Sequence, residues 1–238
     1  MEKNKAAIVT GGAHRIGKNI CLCLANLGYS IVLHYGSSEE EARQTKDEIE
    51  ANGVKCQLIS QDLSQPNSGP ILFDQIHPDF RIEILVNSAG IFKASGFETT
   101  SEDLLDLHYK INLRSPYSLL KTFVNHYSSG HIINILDTKV TQYQTDHLDY
   151  LLSKKSLRDL TLIAARSCGP SFRVNGIAPG LILPPAGKDQ SYLDQKAEGI
   201  PLQKSGGPRD IQQAIQYLVK NPFLTGQILY IDGGEHLQ

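Results

Sequence analysis

Short apolar runs alternate with amphipathic helical stretches from one end of this chain to the other, and that alternation restricts its possible folds more than any other feature. Lys5–Thr10, Ile31–Tyr35, Val54–Ser60, Ile84–Asn87, His131–Leu136, Phe172–Ile177 and Gln227–Ile231 read as strands. Ile16–Leu27, a segment from Ser38 to Gly53, a short piece near Ile71–Ile76, and Pro208–Lys220 read as helices. So do two long stretches, 101–127 and 147–167. Ser38 with Glu41, and Thr99 with Glu102, have capping-box spacing, and Pro116 inside the first long helix predicts a kink. Residues 181–207, rich in Pro, Gly and polar side chains, read as a long substrate loop holding a small helix. Parallel strands need a crossover between them, and helices supply it. The pattern therefore predicts one α/β domain, a Rossmann-type doubly wound parallel sheet of seven strands with helices on both faces. A length of 238 residues suits one such domain over 1–238.

Composition excludes several classes. Net charge is −2 with no block of like charge, so neither nucleic acid nor an anionic membrane is an expected partner. The first residues hold too short an apolar stretch for a signal peptide, and no run approaches the roughly 20 apolar residues of a membrane span. The expected compartment is the cytoplasm. Cys21, Cys23, Cys56 and Cys168 lack zinc-site spacing and the histidines are scattered, so no metal is expected. The thiols read as small apolar fillers.

In open α/β sheets ligands bind at the carboxyl ends of the strands. There the first strand runs into Thr10-Gly11-Gly12-Ala13-His14-Arg15-Ile16-Gly17 and a helix. Gly11 allows a sharp turn, Gly17 a close helix approach, and the helix N-terminus offers N–H groups to a pyrophosphate. The second strand ends His34-Tyr35-Gly36-Ser37-Ser38 without an acid. A carboxylate there would repel a 2′-phosphate, so NADPH is admitted. Ser37 and Ser38 are its candidate ligands and His34, Tyr35, His14 and Arg15 possible helpers. Asp62, followed by Leu63, either accepts from an adenine amino group or closes an Asx turn.

Tyr150-Leu151-Leu152-Ser153-Lys154 puts a phenol and an ammonium on one helix face after the fifth strand. A nearby ammonium favours phenolate, so Lys154 is expected to lower the Tyr150 pKa from about 10 and make it a usable proton donor.

With Asn87-Ser88-Ala89-Gly90, Asn112, Arg173-Val174-Asn175, Ala178-Pro179-Gly180 and Thr225-Gly226-Gln227 followed by Asp232-Gly233-Gly234, these motifs stand in the order of the short-chain dehydrogenases/reductases. The resemblance covers nearly the whole chain. It implies strand order 3-2-1-4-5-6-7, with Asn87, Ala89 and Gly90 at the floor of the cofactor site and Pro179 and Gly180 beside it. It also implies that Asn112 supports Lys154 through a water, and that the protein assembles as a homotetramer or homodimer through 101–127 and 147–167. Ser88 stands where that family usually has a second Asn.

One departure narrows the reading. Asp137 occupies the place of the family's catalytic serine, with the Thr138 hydroxyl one position late. Asp137 for serine, together with Arg15 in the glycine loop, resembles the pteridine reductase branch, which includes dihydromonapterin reductases. That likeness implies that Arg15 faces phosphates and pterin, that Phe92 stacks on the pterin, and that a buried, protonated Asp137 relays a proton through Tyr150. The loop Pro184–Pro201 is expected to close over the substrate. The expected activity is NADPH-dependent reduction of a pterin C=N bond in a dihydropteridine, dihydromonapterin or dihydrofolate-like substrate. Other readings remain: Phe92 as a core residue, Asp137 as a turn cap with Tyr150 idle, Arg15 as a charge neutraliser. For the whole protein they are a carbonyl or ketoacyl reductase and a non-catalytic NADP-sensing protein.

Overall fold

The computed structural model describes residues 4–185 and 187–238. Its elements follow the predicted alternation: β1 (Asn4–Thr10), α1 (Arg15–Asn26), β2 (Ser30–Tyr35), α2 (Glu39–Glu50), β3 (Cys56–Ser60), α3 (Ser68–Phe73), β4 (Phe80–Asn87), α4 (Glu102–Tyr109), α5 (Ser115–His126), β5 (Gly130–Ile135), α6 (Leu148–Ser167), β6 (Phe172–Pro179), α7 (Gln190–Ala197), α8 (Pro208–Lys220) and β7 (Ile228–Ile231). The strands form one seven-stranded sheet in the order β3-β2-β1-β4-β5-β6-β7, and each described pairing is parallel.

Strand side chains alternate between faces, and both faces of this sheet are covered. Ala7 and Val9 of β1, with Ile31 and Leu33 of β2, pack against Ile20 and Leu24 of α1 and Ile211 and Ile215 of α8. Ala6 and Ile8, with Val32 and Leu85, face the other way onto Leu72 of α3 and Leu119 and Phe123 of α5. The central strands are therefore continuous apolar runs. Reversal of strand order on either side of β1 opens the crevice above β1 and β4, which places the site.

Several helix ends differ from the sequence reading. Ser38 precedes α2 but makes no side-chain cap bond, and Thr99 spends its hydroxyl on the Gly96 N–H at 3.0 Å. Ser101 caps α4, accepting from the Leu104 N–H at 3.2 Å. The long helix over 101–127 is two helices joined by a turn of π-helix at Lys110–Arg114, with Pro116 in the first turn of α5, where its missing N–H costs nothing. The short helix near 71–76 starts earlier, at Ser68. The small helix in 181–207 is α7; Ala186 of that loop lies outside the described residues. Among the described residues no helix is long and apolar enough to cross a membrane.

Phe123 is fully buried, with its ring centroid 5.2 Å from Tyr127, 5.6 Å from Phe172 and 6.4 Å from Phe73. Truncation to alanine leaves a cavity that these rings cannot close. Phe123→Ala should lower unfolding free energy by about 3–5 kcal/mol in denaturant titration.

Candidate active site

The crevice above β1 and β4 is a cleft of about 690 Å³ lined by Gly11, His14, Arg15, Ile16 and Gly17 of the glycine loop, His34, Ser37 and Ser38 after β2, Asp62 and Leu63 after β3, and Ala89 and Gly90 after β4. Close backbone packing shapes it. Gly11 has φ +64°, and a Cβ on it would stand 2.8 Å from the Ala89 Cα. A Cβ on Gly17 would stand 2.0 Å from the Gly11 carbonyl oxygen, so α1 can start this close only without a side chain. The Thr10 hydroxyl accepts from the N–H groups of Ser88 and Ala89 at 3.0 and 3.1 Å, locking the two loops together.

His34 braces the floor. Its Nδ1 accepts from the Gly11 N–H at 3.3 Å and its Nε2 donates to the Gln61 carbonyl at 2.9 Å, which fixes the neutral tautomer. Burial pushes its pKa down, in keeping with that form. Tyr35 does not join the cleft; it packs against the apolar cluster of the α1 face. Asp62 closes the Asx turn, accepting from the Ser64 N–H at 2.8 Å and from the Gln65 amide at 3.0 Å, and these bonds hold its carboxyl below the usual range. Asn87 lies beneath the cleft, donating to Asn134 Oδ1 at 2.8 Å. Pro179 ends β6 as a buried residue, while Gly180 packs on the Asp232 side chain, where a Cβ would stand 2.6 Å away; neither lines the cleft.

Arg15 has φ 54°, a left-handed conformation rare for a residue with a side chain, and its Nη2 donates to the Pro184 carbonyl at 2.9 Å. The glycine loop is thereby tied to the segment after β6.

Beside the cleft, where a Cβ on its lining residue Gly90 would stand 3.7 Å from Lys154 Nζ, α6 also carries Tyr150, which donates from its hydroxyl to Asp137 Oδ2 at 2.8 Å. Asp137 Oδ1 accepts from the Lys139 N–H at 2.8 Å, so the carboxyl caps its turn and holds the phenol at once. Burial pushes the Tyr150 phenol well above the usual tyrosine range, and the Asp137 charge and hydrogen bond add to it. The direction is opposite to the lowering expected from Lys154: burial of the phenol sets it, and the Asp137 carboxyl in contact adds to it. Lys154 Nζ donates to the Ile135 carbonyl at 2.7 Å. Burial pushes its pKa down to about 8, against the opposing charge of Asp137. One of its three N–H donors is thus accounted for. Thr138 donates to the Asp232 carboxylate and is buried, so its hydroxyl is committed elsewhere.

Asn112, fully buried in the π-turn, clamps the loop after β4. It accepts from the Ile91 N–H at 2.9 Å and donates to the Ile91 carbonyl at 3.1 Å and to the Ser153 hydroxyl at 3.0 Å. Its bonds therefore run to the residue before Phe92 and to α6, and none runs directly to Lys154. Phe92 is 51% exposed, which excludes the core reading. Its ring lies 4.7 Å from that of Tyr150 and 4.0 Å from that of His147, both edge-on.

His147 was not singled out from sequence. It begins α6 at φ 57°, and its Nδ1 is buried without a partner. A histidine three residues before a tyrosine carries no periodic signal, and its strained backbone exists only in the fold. Among the described residues no group of three or more His, Cys, Asp or Glu is placed to hold a metal.

A family model described as enoyl-(acyl carrier protein) reductase matches residues 11–236. The chain belongs to the short-chain dehydrogenase/reductase family. It is accordingly an oxidoreductase with a dinucleotide site. Among curated relatives, the 3-oxoacyl-[acyl-carrier-protein] reductase FabG of Staphylococcus epidermidis is 29% identical over 98% of this chain and 100% of its own length. Among solved structures, FolM alternative dihydrofolate reductase 1 from Brucella canis, complexed with NADP, superposes with a TM-score of 0.89 at 30% identity, covering 100% of this chain and 96% of that one. A blue fluorescent protein from a metagenomic library, in complex with NADPH, gives a TM-score of 0.87 at 29% identity over 98% of each chain.

Removing the Asp137 charge removes one of the three causes that raise the Tyr150 pKa and weakens a second, the hydrogen bond, which an amide oxygen accepts less strongly. In Asp137→Asn, one phenol should ionise at lower pH than in the wild type, read as the difference between two alkaline absorbance titrations. Superimposable titrations would contradict the contact.

Proposed function

We propose that this protein is an NADPH-dependent pterin reductase. The observation that carries the reading is the Tyr150–Asp137 hydrogen bond of 2.8 Å, beside the exposed face of Phe92.

The residues present fit the dinucleotide. The glycine loop and the start of α1 leave N–H groups facing the cleft for a pyrophosphate, with Gly11 and Gly17 giving the backbone its close approach. Ser37 and Ser38 line the cleft at the start of α2, and Ser38 makes no cap bond, which leaves hydroxyls for a 2′-phosphate. His14 and Arg15 lie on the phosphate side. Asp62 and Leu63 would flank the adenine, while Ala89 and Gly90 form the floor. When bound, NADPH supplies the hydride.

Reduction of a C=N bond also needs a proton at nitrogen, and that is the protein's part. Phe92, held by Asn112 through Ile91, offers a flat apolar face to a heteroaromatic ring. Tyr150 keeps its proton at working pH and gives it to the ring nitrogen. A proton taken up by Asp137 from solvent would then return to the Tyr150 oxygen along the same hydrogen bond. Lys154, charged below about pH 8, has N–H donors left over for ribose hydroxyls. Arg15, tethered to Pro184, sets the position of the segment that closes over the substrate.

The resemblance to a 3-oxoacyl reductase favours a second reading, reduction of a ketoacyl thioester. A ketone oxygen needs a neutral hydroxyl donor beside the tyrosine. Asp137 stands in that place, and the neighbouring Thr138 hydroxyl is engaged by Asp232.

NADPH oxidation with a 7,8-dihydropterin should exceed that with a 3-oxoacyl thioester, and Tyr150→Phe should lower the dihydropterin kcat by about 100-fold or more, leaving NADPH affinity nearly unchanged. Faster turnover of the thioester would transfer the assignment to the ketoacyl reading. No turnover of either would favour a sensing role.

A further inference from the structure

The main chain around Phe92 is anchored on both sides. Asn112 holds both backbone groups of Ile91, and His108 Nε2 accepts from the Lys93 N–H at 3.4 Å. His108 is fully buried, and its Nδ1 donates to the Leu104 carbonyl at 2.9 Å, which sets the tautomer able to accept at Nε2. Farther along, Ser95 docks the same loop on α6. Its carbonyl accepts from the Leu148 N–H at 3.1 Å, and its hydroxyl accepts from the Asp149 N–H at 3.2 Å. These bonds fix the backbone of Phe92 and leave open the plane of its half-exposed ring.

Two rings meet that ring edge-on. The His147 centroid lies 4.0 Å from that of Phe92 at an interplanar angle of 71°, and the Tyr150 centroid lies 4.7 Å away at 86°. Edge-to-face pairs are favourable beyond the area they bury. His147 and Tyr150 stand three apart at the start of α6, so one turn supplies both rings. Placing His147 there is costly. Its φ of 57° lies in the left-handed region, and its Nδ1 is buried without a hydrogen-bond partner. It makes no side-chain cap bond, so α6 gains nothing from the side chain in return. Burial, with the Lys139 charge, pushes the His147 pKa down, so the ring that meets Phe92 is neutral at working pH. What the strained placement secures is the aromatic contact.

We propose that His147 is a positioning residue acting through Phe92: its ring, held by the first turn of α6, sets the plane of the Phe92 ring and so the affinity of the site for a flat heteroaromatic substrate. The inference rests on the reading of Phe92 as the surface on which that substrate stacks.

Steady-state kinetics and aromatic NMR of the ligand-free protein test it. Asparagine tolerates a left-handed backbone, so His147→Asn removes the ring and keeps the turn. It should raise the dihydropterin KM by about 3- to 10-fold, with kcat changing by less than KM and NADPH affinity held within about two-fold. His147→Tyr, which restores a ring, should return KM toward wild type. In a Phe92→Leu background, His147→Asn should add little to the KM, because the residue through which it acts is gone. An unmoved KM, a fall in kcat alone, or additive effects of the two substitutions would overturn the proposal. In the NMR spectra, the Phe92 ring-proton shifts should move in His147→Asn and return in His147→Tyr. If the wild type reduces no dihydropterin, the reading of the site fails, and the NMR arm alone decides whether His147 holds Phe92: unmoved shifts would overturn that too.

Discussion

The hydrogen bond between the Tyr150 hydroxyl and Asp137 is the interaction on which the site's chemistry depends. It joins two elements with separate jobs. The turn after β5 brings a carboxyl to the carboxyl edge of the sheet, and α6 brings a phenol over it. Because Asp137 also caps its own turn through the Lys139 N–H, the carboxyl cannot swing away without loosening the turn. The phenol is thus presented in one orientation, with its proton held firmly and with Phe92 edge-on beside it.

The surrounding charges follow from this pair. Lys154 stands beside Gly90 of the cleft floor, fixed by the Ile135 carbonyl and half-way to neutral at about pH 8 because burial strips its water. Asn112 reaches the same region by a structural route. The π-turn between α4 and α5 places its amide where it clamps both backbone groups of Ile91, and so it positions Phe92, which follows. Insertions of π-turn within helices often accompany functional sites, and here the turn is the means by which one side chain spans two loops.

Much of this was legible in the sequence. Alternation of apolar runs and amphipathic stretches predicted the sheet and its helices, since periodicity is a local property that the fold cannot reverse without exposing its core. The spacing of Tyr150 and Lys154 placed them on one helix face for the same reason. Features set by competition between neighbours were harder to read. Ser101 took the cap expected of Thr99 because Thr99 had a nearer partner in Gly96. Tyr35 looked available for the cofactor but turned toward the core. The Tyr150 pKa was read from a lysine four positions away, while the causes that set it are burial of the phenol and a carboxyl thirteen positions away, both of them products of folding. His147 carried no sequence signal, because a left-handed backbone and an unpartnered ring nitrogen are products of the packed structure.

Replacing Asp137 by serine restores the hydroxyl that most of the family carries at this position, while leaving the phenol, the ammonium and the aromatic platform in place. The decisive measurement is the ratio of kcat/KM for a 7,8-dihydropterin to that for a 3-oxoacyl thioester, in wild type and in Asp137→Ser. If the carboxyl is the proton source, the ratio should fall by about 100-fold or more in the variant, through loss of dihydropterin turnover. A ratio unchanged by the substitution would contradict the account.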